Sequence, residues 1–77
     1  MDIRDLFAAN LRRLRGVRGF SQEELAHRAG LDRTYISSLE RCVYAASIDV
    51  LDKIAQALEI DAAELLKRAP RRGADKR

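Results

Sequence analysis

The chain has one cysteine, one histidine, one proline and no tryptophan. Cys42 has no second thiol to pair with, and Cys42 together with His27 is too small a ligand set for zinc. No apolar run approaches the roughly 20 residues that a membrane-crossing helix needs, and the start MDIRDLF lacks the basic-then-apolar order of a signal peptide. A cytoplasmic chain with no membrane partner is therefore expected. No nucleophile pattern stands beside His27 and no glycine-rich loop offers a cradle for phosphates, so an enzyme is not expected. At 77 residues the chain is read as one domain, and a domain this small buries only roughly 60% of the surface its unfolded form exposes. That leaves little room for a deep cavity, and no cofactor or small-molecule ligand is legible.

Also missing is the period-two alternation of a half-buried strand; apolar residues recur at helical spacing instead, and the spacing predicts an all-α fold of five helices. The first runs from about Ile3 to Val17, with Ile3, Leu6, Phe7, Leu11 and Leu14 on one face. Ser21 and Glu24 have capping-box spacing at the start of the second, Phe20 and Leu25 stand at staple positions, and Gly30 is suited to its end. Only Gly-Leu-Asp separates it from a third helix, capped by Asp32 and running to about Arg41. Two short helices joined by so tight a turn have the layout of a helix-turn-helix. A fourth helix follows Ser47, carrying Ile48, Leu51, Ile54, Ala55 and Leu58, and a fifth is expected from Asp61, with Glu64 as its capping-box partner and Pro70 as its limit. Residues 1–67 form the domain in this reading, and residues 68–77 a basic, disordered tail.

The net charge of +3 is unevenly spread. Residues 1–41 hold eight basic and six acidic side chains, residues 42–67 two basic and five acidic, and the last ten residues five basic and one acidic. The basic part of the domain thus coincides with the helix-turn-helix. At about 100° per residue, Ile36 and Leu39 fix the buried face of the third helix, while Thr34, Ser37, Ser38 and Arg41 point away and Arg33 and Tyr35 flank the stripe. Ser and Thr are poorer helix formers than the Glu, Lys and Gln of an ordinary solvated face. A DNA major groove rewards that choice, because Arg, Ser and Thr can bond base edges there. Arg33, Thr34, Ser37 and Ser38 are accordingly read as base-contacting, and Gln22, Tyr35 and Arg41 as contacting the backbone of double-stranded DNA. For Gln22 the alternative is an ordinary polar helix start, and for Tyr35 simple half-buried packing.

The stretch SQEELAHRAGLDRTYISSLER resembles the signature of the Xre and phage Cro/repressor-like helix-turn-helix regulators, with Gln22, Leu25, Ala26, Gly30, Ile36, Ser37, Leu39 and Glu40 where that pattern has them. The resemblance extends over residues 7–67 and implies a compact five-helix, lambda-repressor-like DNA-binding domain. DRTYIS followed by ER is most similar to the small controller proteins of restriction–modification systems, dimers that regulate their own operon. That similarity implies that Arg33 and Thr34 contact bases and that Gln22, Tyr35 and Ser37 hold the backbone. The chain departs from the family after ER, where Cys42-Val43-Tyr44-Ala45-Ala46 replaces a glycine or asparagine and a polar, often basic loop. Cys42 there either adopts a costly left-handed conformation or marks a different loop path.

One short helix contacts few base pairs, and each bidentate contact discriminates by only about 1–3 kcal/mol, so two copies are expected on an inverted repeat. Leu58, Ile60, Ala63, Leu65 and Leu66 are the expected homodimer interface, the alternative being that they are all core. A protein-interaction module built on the same fold, such as an antitoxin or a helical adaptor, is the rival to a DNA-binding regulator.

Overall fold

The computed structural model describes residues 2–68. They form α1 (Ile3–Arg18), α2 (Gln22–Ala29), α3 (Arg33–Glu40), α4 (Ile48–Leu58) and a closing 3-10 turn, Ala62–Leu66, with no strand among the described residues. Apart from Arg68, the expected basic tail lies outside the described residues, as does Pro70.

Each α-helix starts on a short oxygen-bearing side chain that takes one of the free backbone N–H groups of the first turn. Asp2 accepts from Arg4, Ser21 from Glu24, Asp32 from Thr34 and Ser47 from Val50. Three of these caps follow from the sequence pattern; Asp2 is an addition. Glu24 supplies only half of a capping box, because its carboxylate takes Arg28 Nε at 2.6 Å.

The four helix ends share one device. In each, a residue just past the end has positive φ, directly after α1, α2 and α4 and one position later after α3, where Arg41 (φ −96°) intervenes, and paired backbone bonds turn the chain back over the last turn. Gly19 (φ 73°) and Gly30 (φ 71°) do this without a Cβ; Cys42 (φ 62°) and Glu59 (φ 59°) do it with one. The left-handed conformation costs a residue with a Cβ about 1–2 kcal/mol. Of the two readings left open for Cys42, the structure takes the costly conformation. Gly16 is carried inside α1, which continues one residue past the expected end at Val17 to Arg18.

The core is a single cluster drawn from every element: Phe7 and Leu11 of α1, Leu25 and Ala26 of α2, Ile36 and Leu39 of α3, Ile54, Ala55 and Leu58 of α4, and Leu65 of the closing turn. The expected fifth helix is this 3-10 turn, and Asp61 makes no side-chain cap bond to it. Five residues are too few for a regular α-helix to gain much, and tertiary bonds hold the turn instead. Asn10, buried in α1, donates from Nδ2 to the carbonyls of Leu65 and Lys67, both at 2.9 Å. The C-terminal segment is thereby tied to α1 by an amide that no periodic pattern singles out.

Asn10→Ala removes both bonds and leaves the buried Leu65 carbonyl without a partner, which costs about 1–3 kcal/mol. Hydrogen exchange should quicken first over residues 62–67, with the amides of α2 and α3 protected as before. Uniform loss of protection would refute the local role of Asn10.

Candidate nucleic-acid interface

The helix-turn-helix is held in place by one carboxylate. Glu40, the last residue of α3, is 4% exposed. Arg15 of α1 meets it with two bonds, Nε to Oε2 at 2.7 Å and Nη2 to Oε1 at 3.0 Å, and uses its remaining nitrogen on the carbonyl of Phe20 at 2.9 Å. Gln22, the first residue of α2, donates Nε2 to the same Glu40 Oε1 at 3.0 Å. Arg12 closes the set by donating to the Glu40 backbone carbonyl at 2.6 Å. The hydrogen bonds that Arg15 donates to Glu40 raise its pKa against the opposing effect of burial. A fork-on-carboxylate pair of this kind is among the stronger and more directional contacts in proteins. It fixes the end of α3 against α1 and the start of α2 at once.

With its end anchored, α3 turns one side outward. Arg33 and Thr34 are exposed at its first turn, Tyr35 and Ser37 are half-buried, and Arg41 is exposed just past its end. These residues and Gln22 lie on the two elements that Glu40 joins. Ser38 does not belong with them. Expected on the outward face, it is 6% exposed, because its carbonyl accepts the N–H of Val43 at 2.9 Å and the chain leaving α3 doubles back past it. A wheel drawn for an isolated helix omits that neighbour. Ser38 is therefore a packing residue and is withdrawn from the base-contacting set.

The returning loop carries features that sequence reasoning missed. Tyr44 is 56% exposed, and its ring lies 6.2 Å from that of Tyr35 at 49°. The Cys42 thiol donates to Asp5 Oδ1 at 3.1 Å, and that carboxylate raises the thiol's pKa, which opposes formation of a reactive thiolate. The thiol's bond to α1 thus ties the start of the loop to that helix. The signal for Tyr44 was present in the unusual loop composition, but its position over Tyr35 depends on the backward turn.

The expected dimer interface needs revision. Leu58 and Leu65 are fully buried in the core and present no surface, and Ile60 packs against that core. Ala63 and Leu66 are exposed. The larger apolar surface lies elsewhere: Ile48 is 83% exposed and Ile3 50% exposed, and together with Phe7, Ala46, Leu51 and Leu66 they line one shallow apolar groove. Ile48 falls on the apolar repeat of α4, but at the first position of that helix it projects past the core.

Replacing Arg15 by Met leaves Glu40 buried without its cation and should lower the unfolding free energy by about 3 kcal/mol. In a domain of this size that lowers the melting temperature by more than about 10 °C. Arg15→Met with Glu40→Met should recover much of the loss. Equal melting temperatures for Arg15→Met and the unaltered chain would mean that the pair does not hold the helices together.

Residues 11–65 match the family model described as helix-turn-helix. The chain is 45% identical over 65 residues to a hypothetical transcription factor of Neisseria meningitidis serogroup B, spanning 84% of this chain and 61% of that protein. It is 41% identical over 68 residues to the control protein C.SmaI of Serratia marcescens, covering 88% of this chain and 81% of that one. Among solved structures, the restriction-modification controller protein C.AhdI from Aeromonas hydrophila superposes with a TM-score of 0.79 at 42% identity, over 80% of this chain and 94% of that one. The all-helical class and the tight α2–α3 turn agree with these likenesses, and the chain belongs to the helix-turn-helix family of DNA-binding transcriptional regulators.

Proposed function

We propose that the chain is a sequence-specific regulator that binds double-stranded DNA as a homodimer, with α3 in the major groove of each half of an inverted repeat. The observation that carries this reading is the Glu40 junction, which locks α3 while leaving Arg33 and Thr34 exposed at its first turn. Arg33 is suited to a bidentate contact with guanine, and Thr34 to a base-edge bond or a thymine methyl. Ser37, half-buried at the margin, is assigned to a base edge or the adjoining backbone. Gln22 uses one amide hydrogen on Glu40 and retains a second hydrogen for a phosphate oxygen; Tyr35 and Arg41 are assigned to phosphates on either side.

A symmetric dimer places two recognition helices about 34 Å apart, one turn of DNA. Burial of the groove around Ile48 supplies an apolar seat for the second copy, and Leu66 is the residue of the originally expected interface that lines it. Likeness to C.SmaI and C.AhdI supports the narrower role of a controller of a restriction–modification operon.

Selection of bound duplexes from a random pool should recover an inverted repeat. Arg33→Ala should relax preference at one base position per half-site and weaken binding by about 1–3 kcal/mol. Ile48→Glu, at an exposed site, should leave the fold intact and shift sedimentation toward the monomer, with loss of binding to the full repeat. Recovery of no motif, with residual binding abolished by salt, would leave only backbone attraction and refute sequence-specific regulation.

A further inference from the structure

We propose that Tyr44 is a positioning residue for Tyr35, holding that side chain in its DNA-contacting orientation before DNA arrives. The inference rests on the assignment of Tyr35 to the phosphate backbone. Between Arg41 and Lys53 the chain has no basic residue, so the loop that follows α3 offers a phosphate no cationic side chain. It offers an aromatic ring, placed by the backbone. Cys42 takes the left-handed conformation, its N–H bonds the carbonyl of Leu39 at 3.2 Å, and the N–H of Val43 bonds that of Ser38 at 2.9 Å. Ser38 lies three residues beyond Tyr35, on the same side of the helix. The chain that returns past Ser38 therefore brings residue 44 to Tyr35.

The result is a tilted ring pair with centroids 6.2 Å apart, within the separation and geometry that aromatic quadrupoles favour. Tyr35 is half-buried against the core, and Tyr44 lies against its ring while remaining largely exposed itself. An unbraced tyrosine at the rim of a recognition helix loses rotamer freedom when it grips a phosphate. The ring of Tyr44 removes part of that freedom in the free protein, and the saving appears as affinity.

The brace is a property of the ring, not of the hydroxyl, and this separates it from direct contact. Affinity for the selected duplex is measured by fluorescence anisotropy across a salt series for the wild type, Tyr44→Ala, Tyr44→Phe, Tyr35→Ala and the double Ala variant. Tyr44→Ala should weaken binding about two- to tenfold, Tyr44→Phe should bind like the wild type, and Tyr44→Ala should have no further effect once Tyr35 is Ala. The salt slope should not change, because no charge is removed. In the free protein, side-chain scalar couplings of Tyr35 should move toward rotamer averaging in Tyr44→Ala and stay fixed in Tyr44→Phe.

Equal weakening by Tyr44→Phe and Tyr44→Ala would show that the hydroxyl itself meets the DNA and would overturn the proposal, as would additive losses at the two tyrosines. If the wild-type chain selects no motif, the functional reading fails on its own terms. The couplings then decide the brace alone, and unchanged values overturn it.

Discussion

The structure depends on a buried ion pair at the point where three helices meet. Glu40 ends α3, Arg15 comes from the last turn of α1, and Gln22 opens α2, so a single carboxylate sets the angle of the helix-turn-helix against the rest of the core. Apolar packing of Leu25, Ile36 and Leu39 brings the same elements together but is not directional. The charged fork adds direction. With few residues to spare, this small domain obtains a fixed third helix from three polar side chains placed where a slip of α3 would leave a carboxylate unpaired.

The loop beyond α3 has to serve two sides of the molecule. Its first residues double back past Ser38 and set Tyr44 against Tyr35; its last ones, Ala45 to Ser47, lead into the exposed apolar groove around Ile48. The path between them begins at Cys42 in a conformation that disfavours any residue with a Cβ. In this loop the chain combines a strained turn, an aromatic pair and an apolar margin. Recognition and self-association are proposed on adjacent faces, joined by a connection of seven residues, 41–47.

Much of this was legible in the sequence because its signals are local. Ser21, Asp32 and Ser47 cap helices by contacts to residues two or three positions away, Gly30 turns the chain by its own φ, and the apolar repeat marks Leu25, Ile36, Leu39 and Ile54 as core. What the sequence did not disclose depends on distant partners. The role of Asn10 needs residues 65 and 67, that of Glu40 needs Arg15 and Gln22, and the burial of Ser38 needs a loop whose path follows from a left-handed cysteine. The apolar C-terminal residues illustrate the same limit: composition marks Leu58, Leu65 and Leu66 alike, and only the folded chain separates the first two, inside the core, from the third on the surface.

The central claim is that Glu40 presents the first turn of α3 to DNA. It is tested most directly by following the backbone amides of isotopically labelled protein as its selected duplex is added. The expected result is that the largest shifts fall at Asp32 to Ser37 and at Gln22, with the core amides of α4 little changed. Shifts confined to the surroundings of Ile48 and Leu66, with α3 unmoved by DNA, would contradict it.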